Sequence, residues 1–255
     1  MNLKNRIKFF LRWGVSIALV LSVTNCNSTS KRDYFDSNFQ CFSESGWRDQ
    51  ANFKKYIEKG WFPTRLLYGE DNKRIKRSEI VFTGDSLVHL FLPDLMAKEF
   101  PGKSVTNRGI GGDMTETLLT RIDEDVLVLN PKTVVIEIGG NDFIQGKCLS
   151  LVQNNLLSII QKIHSRNHQI RIFLIAVPPT RVKELNQIVP VYNLFLAQVA
   201  RTTTNVEYIE VWDAMRKQDV PTLSEEFIRP NGDSLHFNEK GYELWGKKLR
   251  PYLQK

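Results

Sequence analysis

The sequence predicts an α/β protein, a three-layer α/β/α domain on a parallel sheet with right-handed crossovers. Three observations lead there. From Ser78 to the end of the chain, short β-branched runs alternate with stretches of 3.6-residue periodicity. The runs are almost continuously apolar instead of alternating, as strands covered on both faces must be. No internal repeat and no linker divides the segment into two domains.

The first strand is expected at 79–83, where Ile80, Val81 and Phe82 are consecutive, and the second at 104–107 around Val105 and Thr106. Runs at 133–138, 170–177 and 206–211 supply the rest. Between the third and fourth, Leu149, Val152, Leu156, Ile159, Ile160 and Ile163 fall on one helical face. Tyr192, Phe195, Leu196 and Val199 mark another helix, and a last one spans 239–252. Ahead of the sheet, 31–77 is aromatic and basic. A short helix is expected at 52–59, with the remainder wrapping the domain edge and Trp47, Tyr56, Trp61 and Phe62 serving as packing residues.

At 255 residues, 42% hydrophobic and 25% charged, the chain is neither disordered, collagen-like nor coiled-coil. Its net charge of +7 does not point to nucleic acid, because Lys4, Arg6, Lys8 and Arg12 of the acid-free opening account for four of those charges. That opening reads as a signal peptide over 1–25. Basic residues precede an apolar stretch from Trp13 to Val23, about half the roughly 20 residues a spanning helix needs. Cys26 follows it, as the acylated cysteine follows the signal of a bacterial lipoprotein, so export to the cell envelope and membrane contact through a lipid on Cys26 are expected. An N-terminal extension then covers 26–77 and the main domain 78–255. Cys41 and Cys148 are left either as a disulfide or as two buried thiols. No CxxC pair, HExxH helix or acidic calcium loop occurs, so nothing points to a metal.

In an open parallel sheet, ligands bind beyond the carboxyl ends of the strands. The chain there reads Gly84-Asp85-Ser86-Leu87, then Asn107-Arg108-Gly109-Ile110-Gly111-Gly112-Asp113, then Gly139-Gly140-Asn141-Asp142. Asp233-Ser234-Leu235-His236 precedes the last helix. A serine hydroxyl needs a base within hydrogen-bond reach to act as a nucleophile, and the base needs a partner fixing its tautomer. Ser86, His236 and Asp233 fit those parts. An oxyanion needs donors aimed at it, and the amides of Ser86 and Gly112 with the Asn141 side chain supply three. Asp113 and Glu116 have capping-box spacing, which would place Gly112 just before a helix N-terminus. Asp85 and Asp142 are expected as turn or cap residues. A dinucleotide loop is excluded, since Met114 stands where its third glycine belongs.

These four ordered blocks resemble the GDSL, or SGNH, hydrolase family over residues 78–255. The resemblance implies a flavodoxin-like fold with five parallel strands, no cofactor, and ester hydrolysis through an acyl-serine. It assigns Ser86 as nucleophile, Asp233 and His236 as its partners, and Gly112 and Asn141 as oxyanion donors. The block beginning at Asn107 is most similar to the branch holding platelet-activating-factor acetylhydrolase subunits, bacterial lysophospholipase/thioesterases and carbohydrate acetylesterases. Acetylated glycans and (lyso)phospholipids are the expected ester substrates. An acyltransferase using the same acyl-serine, or a non-catalytic surface binding lipoprotein, are the alternatives. Leu87-Val88-His89 replaces the usual Ile-Thr, and Phe237 replaces Pro or Leu, each expected to reshape the pocket. His89 is expected on the surface, with His164 and His168 structural. The loop from Pro178 to Pro190, carrying Arg181 and Lys183, is expected to overhang the site.

Overall fold

The computed structural model describes residues 32–253; the segment expected to be a signal peptide, 1–25, and Cys26 lie outside them. Five strands form one parallel sheet: β1 (Ile80–Gly84), β2 (Val105–Gly109), β3 (Thr133–Glu137), β4 (Arg171–Ile175) and β5 (Val206–Ile209). Their order is β2-β1-β3-β4-β5. This is the flavodoxin-like arrangement, and the reversal of strand order puts a crevice at the carboxyl ends of β1 and β3. Every residue of β1 and β3 is buried, so helices cover both faces of the sheet, as the unbroken apolar runs require.

The helices of the domain are α3 (Ser86–His89), α4 (Pro93–Glu99), α5 (Thr115–Arg121), α6 (Gly140–Ile144), α7 (Leu149–Arg166), α8 (Lys183–Thr202), α9 (Trp212–Met215) and α10 (Glu239–Leu253). The expected face of α7 is the buried one: Val152, Leu156, Ile159, Ile160 and Ile163 all point inward. An aromatic cluster ties α10 to the front of the sheet. Phe91 stacks on Tyr242 at 4.8 Å, and Trp245 meets Phe237 at 5.3 Å. The Tyr242 hydroxyl then donates to the Leu87 carbonyl at 2.9 Å, clamping α10 onto α3. Phe237 is therefore a core residue and not a pocket wall, which corrects the expectation for it.

The segment ahead of the sheet departs most from expectation. Instead of a short helix at 52–59, 50–75 is helical throughout. It comprises α1 (Gln50–Tyr56), a π-helical turn (Ile57–Trp61) and α2 (Phe62–Ile75). Gly60 and Pro63 do not end it: a π-helical turn joins the two α-helices, and Pro63 lies at the start of α2. The rest of α2 lacks an apolar stripe because polar contacts hold it. Arg65 pairs with Asp125 at 3.1 Å, and buried Arg108 donates to Asp71 and Asn72. Leu66 and Leu67 face solvent.

Cys41 and Cys148 form a disulfide, closing a separation of 107 residues. Around it, Phe42 bridges to Lys147, whose buried ammonium lies 4.6 Å from the Phe42 ring centre. A cross-link over so long a loop stabilises chiefly by restricting the unfolded chain, by about 2–5 kcal/mol. Paired Cys41→Ser and Cys148→Ser substitutions should lower Tm by about 10 °C in a thermal melt. An unchanged Tm would show that the surrounding contacts hold the segment without the bond.

The long loop expected between Pro178 and Pro190 is shorter than that. Helix α8 begins at Lys183 and carries Pro190 inside it. Burial of Leu185, Ile188, Val189 and Tyr192 outweighs the one backbone hydrogen bond that Pro190 forgoes.

Candidate active site

Every block singled out in the sequence comes to the crevice at the ends of β1 and β3. Gly84 closes β1 with φ near +148°, a conformation that favours glycine. A Cβ there would lie 1.8 Å from the Glu137 carbonyl of β3. Asp85 then caps α3, its Oδ1 accepting from the Leu87 amide at 2.9 Å. This turn sets Ser86, half-buried, at the mouth of the crevice.

His236 arrives from the other end of the chain, 150 residues away, with its Nε2 2.8 Å from Ser86 Oγ. Its Nδ1 lies 2.7 Å from Asp233 Oδ2. The other oxygen, Asp233 Oδ1, accepts from the amides of Leu235 at 2.9 Å and His236 at 3.1 Å. Partial burial alone would raise the Asp233 pKa. The two amides and the imidazole outweigh it and hold the carboxyl below its ordinary value, so it stays ionised. The loop carrying both residues is fastened on two sides. Phe237 sits in the aromatic core, and the Arg181 amide donates to the Ser234 carbonyl at 2.9 Å. Arg181 thus braces that loop through its backbone and through its guanidinium, which donates to the Gly232 carbonyl at 3.4 Å, and Lys183 belongs to the first turn of α8.

Gly112 has φ near +82°, and a Cβ on it would press to 2.9 Å from the Tyr56 ring. Only glycine fits between that ring and the crevice. His89, although exposed, accepts the Gly111 amide on Nδ1 at 3.1 Å, so it supports the glycine loop and is not an idle surface histidine. Burial, and then Arg121, lower its pKa, in keeping with a neutral ring that accepts. Asn141 directs its Nδ2 to the Asp113 carbonyl at 3.0 Å and to Asp85 Oδ2 at 3.2 Å. Of the three donors named from the sequence, Ser86 and Asn141 border one cavity, and Gly112 follows Gly111, on which a Cβ would lie 3.8 Å from Ser86 Cβ.

Asp113 and Glu116 do not make a capping box. Helix α5 starts after Met114, whose amide donates to Thr117 Oγ1 at 2.9 Å. Asp113 is fully buried, and its oxygens are taken by Arg121 at 2.7 Å and Trp61 Nε1 at 3.0 Å. Arg121 also donates to the Gly84 carbonyl at 3.2 Å, so this ion pair joins the ends of β1 and α5. Glu116 turns away to accept the Gly46 amide at 2.6 Å. Asp85 is a cap, as expected, whereas Asp142 is more than a turn residue. It accepts the Thr115 amide at 3.0 Å and the Thr115 hydroxyl at 2.6 Å, pinning the glycine loop beside Asn141. Burial pushes its pKa up to about 7 against those hydrogen bonds.

Sequence alone gave no role to 31–77, yet three of its aromatics build this wall: Tyr56 on Gly112, Trp61 on Asp113, and Tyr68 donating to the Gly109 carbonyl. The Tyr56 hydroxyl is buried with no partner. No apolar period marks these positions: Trp61 and Tyr68 are each fixed by one polar contact across the fold, and Tyr56 by packing against Trp47 and Gly112. At the site, a cavity of about 30 Å³ is bordered by Ser86, Asn141, Val177, Leu185, Leu235 and His236. Leu185 and Leu235 separate it from a second, mostly apolar cavity of about 220 Å³ walled by Tyr34, Phe143 and Val182 with Arg32. Among the described residues no cluster of His, Cys, Asp or Glu is arranged to hold a metal ion.

A hydroxyl, an imidazole and a carboxylate in hydrogen-bonded series, beside donors in a small cavity, are equipped for acyl transfer through the serine. Comparison with known proteins agrees. The model of the GDSL-like lipase/acylhydrolase family matches residues 76–244. The human platelet-activating factor acetylhydrolase IB subunit alpha1 is 31% identical over 121 residues, covering 47% of this chain and 51% of the relative. Esterase TesA of Pseudomonas aeruginosa is 35% identical over 75 residues, covering 29% of this chain and 37% of that protein. The chain thus spans about half or less of the length of these curated relatives. A solved structure from Streptococcus pneumoniae, named for platelet activating factor, superposes with a TM-score of 0.71 at 25% identity, over 80% of this chain and 97% of that one.

Proposed function

This chain belongs to the GDSL-like lipase/acylhydrolase family, and we propose that it is a carboxylic ester hydrolase acting on short O-acyl esters. One observation carries the proposal: Asp233, His236 and Ser86 are in hydrogen-bonded series at 2.7 and 2.8 Å, with Asn141 bordering the same cavity. His236 Nε2 takes the Ser86 proton as Oγ attacks the ester carbonyl. The resulting oxyanion is met by the amides of Ser86 and Gly112 and by the Asn141 side chain, one of whose two N–H groups turns from the Asp113 carbonyl to reach it. His236 returns the proton to the leaving alcohol, and the acyl group stays on Ser86. Water deprotonated by the same imidazole then releases the acid, and Asp233 stabilises the imidazolium in both steps.

The acyl size follows from the space available. The space at Ser86, about 30 Å³, is small beside the 220 Å³ of its neighbour, which suits a short acyl group such as acetyl. Two of the names point the same way: one curated relative is an acetylhydrolase, and one neighbour of the same fold is an acetylxylan esterase. Acetylated glycans and acetylated or lyso-phospholipids are the natural candidates. Export by the 1–25 signal and acylation of Cys26 belong to the same proposal and rest on the sequence.

Activity on p-nitrophenyl esters of two to eight carbons tests it. Turnover should be highest for acetate and fall with chain length. A preference for octanoate would mean that the acyl chain enters the larger cavity past Leu235. No hydrolysis of any chain length, together with no labelling by a fluorophosphonate probe, would favour a binding protein that keeps the fold. Labelling without net hydrolysis would favour an acyltransferase.

A further inference from the structure

We propose that Glu137 is a positioning residue for this site: it keeps a proton, donates it to the Asp85 carboxylate, and through Asp85 fixes the Asn141 amide and the turn carrying Ser86. Its kinetic consequence rests on the ester-hydrolase proposal; the location of the proton does not.

Glu137 ends β3 and is completely buried, and neither of its carboxyl oxygens meets an N–H or O–H donor from another residue. Together with Asp85 it borders the 30 Å³ cavity at Ser86. Asp85, by contrast, uses both oxygens as acceptors: Oδ1 takes the Leu87 amide at 2.9 Å, and Oδ2 takes Asn141 Nδ2 at 3.2 Å. The two side chains are neighbours: Glu137 pairs across the sheet with Gly84, the residue before Asp85, and both carboxyls border the same cavity. Two adjacent carboxyls can bond only if one holds a proton. Asp85 is supported as an anion by its donors and Glu137 is not, so the proton belongs to Glu137.

The groups facing the pair from every side are consistent with this. His236 and Ser86 face it from the cavity, Asp113 and Tyr56 from the glycine-loop side, Tyr192 from α8 and Tyr242 from α10. The nearby cation Arg121 is engaged with Asp113 and the Gly84 carbonyl. Among the described residues, no Lys or Arg side chain bonds to either carboxyl. Burial, and then the Asp85 charge, raise the Glu137 pKa well above its ordinary value.

The sign of the pH effect follows. Unfolded, Glu137 loses its proton near about pH 4.3; folded, it keeps the proton to higher pH. Between those points the native state binds more protons than the unfolded one, so stability falls as pH rises through the window. A second negative charge beneath Asn141 would also oppose the oxyanion, so turnover should decline on the alkaline side. Glutamine at 137 keeps an N–H donor for Asp85 but cannot titrate. Leucine supplies no donor.

The test is thermal unfolding and p-nitrophenyl acetate kinetics from pH 5 to pH 9 for the wild type, Glu137→Gln and Glu137→Leu. The Tm advantage of Glu137→Gln over wild type should be small at pH 5 and grow with pH, by about 3–5 °C for each tenfold shift in proton affinity. Its alkaline loss of turnover should be diminished. Glu137→Leu should lose about tenfold or more in kcat with KM nearly unchanged, while Glu137→Gln restores kcat to within about threefold of wild type. A Tm difference that does not vary with pH would overturn the assignment of the proton. Wild-type kcat in Glu137→Leu would overturn the positioning role. If Glu137→Leu does not fold, the pH profiles of Glu137→Gln decide the matter. If the wild type hydrolyses no ester, the ester-hydrolase proposal fails, while the Tm comparison still decides where the proton sits.

Discussion

Ser86→Ala is expected to lower kcat for p-nitrophenyl acetate by a factor on the order of 10⁴–10⁶. The hydroxyl is the only group that bonds covalently to the acyl carbon in the proposed mechanism, and no other nucleophile borders the cavity with a base on it. Its removal should leave the fold intact. The Ser86 side chain makes one hydrogen bond, to His236, and the turn is held by Asp85 on the Leu87 amide and by Tyr242 on the Leu87 carbonyl. Tm should therefore stay within about 3 °C of wild type, the range of a modest surface change. Labelling by a fluorophosphonate should disappear. Residual turnover within about tenfold of wild type would sink the assignment of Ser86, because the oxyanion donors alone cannot supply that much rate.

Asp233→Asn should cost nearly as much, about 10³–10⁴-fold in kcat. Asparagine is the same size, and its carbonyl can still accept the Leu235 and His236 amides, so the loop keeps its shape. The remaining NH₂ then faces His236 Nδ1 where Asp233 Oδ2 stood at 2.7 Å. Two donors cannot share that contact, so Nδ1 becomes the acceptor and the ring proton moves to Nε2, opposite Ser86 Oγ. In that tautomer the ring cannot take the serine proton, and an imidazolium would lack its counter-charge. The loss should appear in kcat with little change in KM, since Asp233 does not border the cavity. A variant that loses several degrees of Tm yet keeps kcat within about tenfold would show that Asp233 only braces the loop.

The parts of the site legible in the sequence are those that depend on short-range spacing. Asp233 and His236 meet because they are three residues apart, and Ser86 projects because a glycine-aspartate turn ends a strand. Asn141 and Gly112 follow their strands in the same way. What escaped was set by contacts between distant residues. Asp113 has the spacing of a cap, but burial beside Arg121 and Trp61 gave its oxygens other partners. The helical run at 50–75 shows no apolar period because ion pairs hold it. His89 looks like a surface histidine until Gly111 arrives from β2 to donate to it.

The amino-acid order by itself determined the sheet and the places where chemistry could occur. Unbroken apolar runs have to be buried on both faces, and in a parallel sheet the turns after such runs gather at one edge. Only the tertiary structure decided which partners those turns received. It brought His236 across 150 residues to Ser86, seated Tyr56 against Gly112, and left the Glu137 carboxyl beside Asp85 with no N–H or O–H donor from another residue. The physical reason is that pattern governs which side chains leave water, whereas protonation and hydrogen bonding depend on which groups they meet once inside.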